Sequence, residues 1–305
     1  MLSLFKRGRV VGSQIGVFVT AEGVAAAQMS VAGSKPRLQR CVFERHGSEM
    51  PVQRVFERLP DRRAPAVSVL DPDGYRLLLV EAPDVPAEEL RAAVRWRIKD
   101  LIDFHIDDAV IDVFEMPPHA RGGRNRMMYA VTAKADVVKA QIESLERAGM
   151  ALDVIDIPEL CLRNVAALLE VEQRGTAFLH LGERRGTLLL VRQGVLYLAR
   201  YVETGAASLA EAGELRKDLV AGLTLEVRRS LDYFESHYEQ DPIRSLHSSG
   251  LSAADRDWIA GELSIAVGEV DLQDFLDMDD TVSPELQRLC LPAIGAALRK
   301  DALTL

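Results

Sequence analysis

Short apolar runs, broken by glycine, proline and acidic residues, fill the first part of the chain. Residues 13–44 contain three such runs, with breaks at Glu22-Gly23 and Ala32-Gly33, and this spacing predicts three strands joined by tight turns. A helix from about residue 51 to 59 and a fourth strand over 66–70 follow. The alternation of strands and helices is typical of α/β proteins.

The three-strand pattern recurs in the second half of the chain. Residues 175–203 again hold three apolar runs, and Gln193-Gly194 separates the second run from the third. Two such meanders, each opening one half, form a weak internal repeat and predict two lobes of related build. The other elements expected in this half are helices over about 209–222 and on to 238, a strand within 242–252, a helix over 252–262, a strand over 264–270 and a helix over 284–298.

The segment between the two halves, residues 75–157, reads strand, helix, strand, strand, helix, strand. That is the split βαβ, or ferredoxin-like, order, and it predicts a subdomain inserted into the first lobe. The predicted boundaries are residues 1–74 plus 158–174 for the first lobe, 75–157 for the inserted subdomain and 175–305 for the second lobe.

The predicted helix over 86–102 has one strongly apolar face, and Trp96 lies nearly opposite that face. Two interpretations of Trp96 stand side by side. It packs against a neighbouring part of the same chain, or it belongs to a partner-binding surface, where tryptophan is enriched. The residues that share the apolar face are Leu90, Val94, Ile98, Leu101 and Ile102.

Composition and charge narrow the class of protein. The chain has 305 residues, of which 48% are hydrophobic and 27% are charged, and this is an ordinary globular composition with room for two domains. Its net charge of −9 argues against a general nucleic-acid binder, which needs a cationic surface.

The cysteines and histidines predict neither a disulfide framework nor a zinc site. The six histidines have no metal-ligand spacing. The three cysteines are far apart in sequence, so we expect the protein to reside in a reducing compartment, the cytosol. No apolar run approaches the ~20 residues that span a bilayer. At the N-terminus, Leu2, Leu4 and Phe5 beside basic residues suit either a frayed end or weak contact with an anionic membrane surface.

Three separated runs carry a family resemblance. They are VEAPDVPAEELRAAVRWRIKDLIDFHIDDAVIDVFEMP from Val80, LEVRRSLDYFESHYE from Leu225 and LPAIGAALRK from Leu291. They resemble the PilM family of type IV pilus assembly proteins, and most closely its MshI branch from MSHA-type pili. The resemblance implies an α/β, actin-like fold, as in Hsp70 and FtsA, with a nucleotide cleft between two lobes and an inserted ferredoxin-like subdomain.

The first phosphate-binding turn of such a fold has lost its usual residues here. In the family this turn resembles G-I-D-I-S-S-T-S-V-K, and the matching run is Gly16 to Ala25. Phe18 replaces the aspartate that helps to hold Mg²⁺, a cation that prefers oxygen ligands. Thr20 keeps a hydroxyl, whereas Glu22, followed by Gly23, puts negative charge where a phosphate would lie.

The second turn departs from the family in the same way. The family's D-I-G reads His180-Leu181-Gly182 and is followed by Glu183. The glycine pair that backs the adenosine in the family keeps one glycine, in Ser249-Gly250. His180 suits either a contact with something in the cleft or a hydrogen-bonded buried histidine.

These substitutions predict a degenerate nucleotide cleft and the loss of ATPase function. Each lost charge-assisted contact costs about 1.5–3 kcal/mol, so two or three losses turn micromolar binding into millimolar binding or weaker. We therefore expect no catalytic residues, no metal and no resident cofactor, with weak ATP or ADP binding at most. The alternative, from another class, is an active ATPase or a sugar-kinase-like phosphotransferase.

The family resemblance also implies a partner. In the family, the cytoplasmic N-terminal tail of a PilN-type inner-membrane protein binds in a groove between the inserted subdomain and the first half. The candidate groove here consists of the 86–102 helix and the strand over 109–116, with Trp96, Arg95 and Lys99 as partner-binding residues. We expect the protein to be a cytoplasmic scaffold that is attached to the inner membrane through this partner. Other pilus assembly proteins are expected as further partners.

Overall fold

Three β-sheets organise the residues that the computed structural model describes. The described residues are 12–30, 35–47, 50–117, 126–169, 174–238, 240–278 and 282–300. The N-terminal cluster around Leu2, Leu4 and Phe5 and the break at Ala32-Gly33 lie outside them.

The order of elements confirms the two strand-rich halves. The strands are β1 (Ser13–Val19), β2 (Gly23–Ser30), β3 (Arg37–Arg45), β4 (Ala66–Val69), β5 (Tyr75–Glu81), β6 (Ala109–Glu115), β7 (Met127–Lys134), β8 (Leu152–Asp156), β9 (Thr176–Leu181), β10 (Gly186–Arg192), β11 (Val195–Val202), β12 (Ser245–Ser249), β13 (Ala266–Glu269) and β14 (Asp277–Met278). The helices are α1 (Pro51–Glu57), α2 (Leu90–Ile98), α3 (Ala135–Arg147), α4 (Pro158–Leu169), α5 (Ala206–Glu211), α6 (Arg216–Tyr238), α7 (Ala253–Leu263) and α8 (Pro284–Ala297).

Each lobe is built on one mixed sheet. The first sheet has the order β14-β3-β2-β1-β4-β8 and the second has the order β11-β10-β9-β12-β13. In both, an antiparallel three-strand meander continues into parallel strands, β4 after β1 and β12 after β9. The meanders place the β1–β2 turn and the β9–β10 turn at corresponding positions of the two lobes.

Small residues let α8 approach the first sheet closely. A Cβ on Gly16 of β1 would lie 1.9 Å from the carbonyl oxygen of Ala293 on α8, so only glycine fits there. The neighbouring strand β2 carries the buried run Ala25-Ala26-Ala27. One buried apolar cluster therefore reaches from Ala27 in the first sheet to Leu179 in the second, with residues of α4 and α8 between them.

The inserted subdomain is smaller than the sequence predicted. Its sheet has three strands in the order β5-β7-β6, and α2 covers one face. The predicted fourth strand, β8, instead pairs in parallel with β4 at the edge of the first sheet. From α3, Leu145 enters the first lobe's core, and Gln141 Nε2 donates to Ser68 Oγ at 2.6 Å. The assignment of 135–157 to a split βαβ unit is therefore wrong, because β8 forms its backbone ladder with β4 of the first sheet and not with the three-stranded sheet.

Two helices cover the opposite lobe from the one the sequence predicted. Helix α4, assigned to the first lobe, packs on β9, β10 and β11 of the second sheet. Helix α8, assigned to the second lobe, packs on β1, β2, β3 and β4 of the first. The assignments of 158–174 and of the end of 175–305 are therefore wrong. An apolar helical face shows that a helix is buried, but it does not specify which sheet the helix covers.

Helix α2 ends earlier than predicted. Leu90, Val94 and Ile98 are buried against the sheet, as expected, but the helix stops at Ile98. Leu101, predicted on the same buried face, is 58% exposed, and Ile102 is half-buried. The basic residues Arg95, Arg97 and Lys99 at this end suit the negative end of the helix dipole.

Candidate functional site

The two turns that match the phosphate-binding turns of the family, and that are predicted to be degenerate here, face each other across one small cleft. The first turn is residues 20–22, between β1 and β2, and the second turn is residues 182–185, between β9 and β10. The cleft between them has a volume of about 90 Å³, whereas ligand pockets usually measure about 300–1,000 Å³. It is lined by Phe18, Thr20, Glu22, Ala25, Phe43, Asp71, Pro72, Asp73, His180, Gly182, Glu183, Arg184, Arg185, Arg288 and Leu289.

The first turn satisfies its own polar groups. Thr20 Oγ1 donates to the carbonyl oxygen of Gly23 at 3.3 Å and accepts from the backbone N–H of Glu22 at 3.3 Å. The N–H of Thr20 also donates to Gly23, at 2.9 Å. Phe18 is partly buried and packs against the apolar core, so an aromatic ring stands where the family has a carboxylate. The Thr20 hydroxyl and the Glu22 amide are therefore occupied within the turn.

Arginines of the second turn reach across to acidic residues of the first lobe. Arg184 Nε lies 2.6 Å from Glu22 Oε1, and an Nη atom of Arg184 lies 3.5 Å from Asp73. Arg185 lies 3.0 Å from the same Asp73 carboxylate. The Glu22 carboxylate of the first turn is thus already paired with a cation of the second turn.

Arg288 of α8 closes the inner side of the cleft. Its guanidinium donates to Glu183 Oε1 at 2.6 Å and to the carbonyl oxygen of Leu181 at 3.2 Å. Both side chains of the Arg288–Glu183 pair are largely buried, so water screens the pair less than it screens an exposed pair.

His180 is buried at the base of the cleft. Its Nδ1 has no hydrogen-bond partner among the described residues. Burial, with a smaller contribution from the positive charge of Arg288, lowers the pKa of His180 to about 3. The imidazole is therefore neutral at physiological pH and adds no positive charge for a phosphate.

The nine residues predicted to line one nucleotide cleft separate into two neighbouring pockets. Ser249 and Gly250 line a second pocket, of about 300 Å³, between the end of β12 and α8. Gly250 has a φ of +101°, which favours glycine. The six residues found in the cleft itself are Phe18, Thr20, Glu22, His180, Gly182 and Glu183, while Gly23 begins β2 beside it.

Sequence reasoning missed the four residues that close the cleft. Asp73, Arg184, Arg185 and Arg288 lie apart in the chain, and only the tertiary structure brings them together. One signal was available in the sequence: two arginines directly follow Glu183 in the second turn, while the first turn contains the acidic Glu22. Opposite charges on the two matched turns indicate that ion pairs could form between them. Nearby Asp71 also faces the cleft, and its pKa is raised chiefly by burial.

The described residues contain no group of three or more His, Cys, Asp or Glu side chains arranged to hold a metal ion. The three cysteines are free thiols and buried. Within the described part of the chain, none of the helices combines the length and apolar character that crossing a membrane requires.

The predicted partner-binding residues do not line this cleft; they belong to α2 and its C-terminal end, on the inserted subdomain. Trp96 is 72% exposed, which excludes the interpretation that it packs against another part of the chain. The Nζ of Lys99 lies 5.9 Å from the centre of the Trp96 ring, and Arg95 pairs with Asp107 at 2.8 Å. An exposed ring beside a cation remains available to a partner.

The predicted groove consisted of the 86–102 helix and the strand over 109–116. The structure excludes the helix from a groove against the first lobe, whereas the strand, β6, stays a candidate. Helix α2 covers the face of the three-stranded sheet that is turned away from the lobes, so it does not line a groove against the first lobe. The opposite face, with Phe114 and Tyr129, packs towards the lobes. Strand β6 is an edge strand. Burial raises the pKa of its Asp112, and the charge of Arg91 on α2, 3.1 Å away, opposes this shift more than the charge of Arg299 does.

Two solved structures are similar to this chain over nearly its whole length. One is a chain of a PilM–PilN type IV pilus biogenesis complex, with 20% identity and a TM-score of 0.73, covering 95% of this chain and 98% of that one. The other is the cytoplasmic domain of EpsL, an inner-membrane component of the type II secretion system of Vibrio cholerae, with 12% identity and a TM-score of 0.54, covering 94% and 96%. No protein-family model and no curated protein matches the sequence. The two-lobed arrangement and these likenesses confirm that the chain has an actin-like fold.

Proposed function

We propose that this protein is a scaffold of type IV pilus biogenesis that binds the cytoplasmic tail of a PilN-type inner-membrane protein. The observation that carries the proposal is the full-length structural likeness to a chain of a PilM–PilN complex. The sequence runs that resemble the PilM family, and its MshI branch, favour pilus assembly, of the MSHA type, over the secretion role suggested by the EpsL likeness. The scaffold would be cytoplasmic and would lie at the inner membrane through its partner.

The unpaired edge of β6 favours an extended tail as the ligand. Beside Asp112, Val110 and Phe114 are only partly buried and lie on the face of β6 turned towards the lobes. An added strand would gain backbone hydrogen bonds along the edge and insert alternate apolar side chains. Trp96 and Lys99, on the other side of the subdomain, would offer a separate contact to an apolar side chain and a carboxylate of the partner.

We expect Trp96→Ala to lower the affinity for a PilN-type tail peptide by at least about 1 kcal/mol, because buried tryptophans dominate the binding free energy of many interfaces. The melting temperature should stay unchanged, since the ring is exposed and does not support the fold. Both quantities can be measured on one preparation by titration calorimetry and thermal unfolding.

Trp258→Ala is the matched control. Trp258 is 44% exposed but lies on α7 of the second lobe, remote from the inserted subdomain, so its loss should leave the affinity unchanged. Equal affinities for both variants and the wild type would remove Trp96 from the binding surface.

We further propose that the cleft has no ATPase function. The small volume, the paired Glu22 and the neutral His180 support this, because a triphosphate would have to displace ion pairs and approach carboxylates. Mg-ATP should therefore leave the melting temperature unchanged at millimolar concentration, whereas ligand at a hundred times its Kd adds about 2.7 kcal/mol of stability. A low-micromolar, magnesium-dependent Kd would contradict the proposal.

One observation favours the alternative of nucleotide-dependent activity. The second pocket keeps Gly250 and about 300 Å³ of space, enough for part of a nucleoside. Titration with adenosine as well as Mg-ATP separates the cases. If the protein is an active ATPase or phosphotransferase, Mg-ATP binds more tightly than adenosine. If only the nucleoside pocket is retained, Mg-ATP gains nothing from its phosphates.

A further inference from the structure

Four ion pairs at the cleft join the two lobes where a nucleotide would otherwise join them. Arg184 and Arg185 project from the second turn, which belongs to the second lobe. Their partners, Glu22 on the first turn and Asp73 on the segment before β5, belong to the first lobe. The fourth pair links Arg288, on the helix that covers the first sheet, to Glu183 on the second turn.

These contacts also hold the backbone of the second turn. Besides pairing with Glu183, Arg288 donates to the carbonyl oxygen of Leu181, the last residue of β9. The carbonyl oxygens of Gly182 and Glu183 accept from Ala206 and Ala207 at 2.8 Å and 3.1 Å, which ties the turn to α5. Movement of the second turn would therefore displace α5 and the end of β9 in the second lobe.

We infer that these ion pairs act as an interlobe latch that holds the lobes closed without a nucleotide. In the latch, Arg184 and Arg185 provide the positive charges, while Glu22 and Asp73 act as built-in anions in place of phosphates. The inference rests on the proposal that nucleotide does not occupy the cleft. It goes beyond that proposal because it assigns the closing force to named side chains of the chain itself.

The exposure of the latch determines how it responds to salt. The Arg184, Arg185 and Asp73 side chains are 55%, 41% and 53% exposed, so counterions reach them. The screening length falls from ~10 Å in 0.1 M salt to ~3 Å in 1 M salt, which weakens exposed pairs. The latch should therefore open at high ionic strength, with the more buried Arg288–Glu183 pair the last to separate.

The latch also adjoins the start of the inserted subdomain. Asp73 lies two residues before Tyr75, which begins β5. The Tyr75 hydroxyl donates to the buried Glu159 of α4 at 2.6 Å and contacts the Tyr201 hydroxyl of the second sheet at 2.5 Å. Separation of the lobes would thus disturb the segment from which the inserted subdomain extends.

Interlobe distances between spin labels test the latch in the full-length protein. Labels can be attached at Glu57→Cys on α1 and Glu235→Cys on α6, both exposed, because the native cysteines are buried. We expect Arg184→Glu to raise the population of longer distances at least about threefold over wild type, since reversal replaces attraction by repulsion. Glu22→Arg should do the same, and the double exchange Glu22→Arg with Arg184→Glu should restore much of the closed distribution.

Arg37→Glu is the matched control, because the Arg37–Asp277 pair is exposed but lies within the first sheet. It should leave the distances unchanged, and 1 M NaCl should open the wild type. Unchanged distances in both single variants and at 1 M NaCl would overturn the latch and leave the proposed function standing. If Mg-ATP closes the opened Arg184→Glu variant, the cleft binds nucleotide and the proposed degenerate cleft fails, while the opening of that variant still supports the latch.

Discussion

Gly295→Ala is expected to lower the free energy of unfolding by about 3 kcal/mol, the upper end of the usual cost of overpacking a core. A Cβ at residue 295 would lie 2.0 Å from the carbonyl oxygen of Cys161 and 2.5 Å from its carbonyl carbon. Both are backbone atoms of α4, so relief requires α4 and α8 to move apart. The hydrogen bond from Asn164 to the Gly295 carbonyl oxygen, 2.9 Å long, would also be strained.

The matched control is Gly222→Ala. Gly222 lies in α6 with no atom near the position of an added Cβ, so alanine there should stabilise the helix by up to about 1 kcal/mol. Urea unfolding of both variants measures the difference. If the two changes have the same effect, the close contact of α4 with α8 does not limit stability.

Asp156→Ala is expected to cost about 3–5 kcal/mol, because removal of one partner leaves a buried charge without compensation. The Asp156 carboxylate accepts from Arg299 and from the backbone N–H of Ile157, at the start of α4. Side-chain exposure is 3% for Asp156 and 13% for Arg299. The pair fastens the segment after α8 to the end of β8, at the edge of the first sheet.

Two further variants separate the ion pair from the loss of packing. Asp156→Leu with Arg299→Met removes both charges and should recover much of the stability lost in Asp156→Ala. Asp277→Ala removes the partner of Arg37 in an exposed pair and should cost no more than about 1 kcal/mol. Equal losses for Asp156→Ala and Asp277→Ala in urea unfolding would contradict the prediction.

The sequence by itself determined the elements and the two turns of the cleft. Strands β1–β3 and β9–β11 follow from short apolar runs and from turn residues such as Gln193-Gly194, which are local signals. Helical geometry placed Trp96 opposite Val94 and Ile98, but only the structure showed that its ring is exposed. Phe18 and His180, which differ from the carboxylates that the family resemblance implies at these positions, were equally visible without coordinates.

Only the tertiary structure decided which elements meet. Strand β8 pairs with β4, although the inserted subdomain separates the two strands in sequence. Helix α4 packs on the second sheet and α8 on the first, the reverse of the prediction. Parallel pairing and helix docking both depend on contacts between residues distant in sequence. The latch also depends on contacts between residues distant in sequence. Arg184 and Glu22 are 162 residues apart, and they form an ion pair only because the fold places the two turns opposite each other.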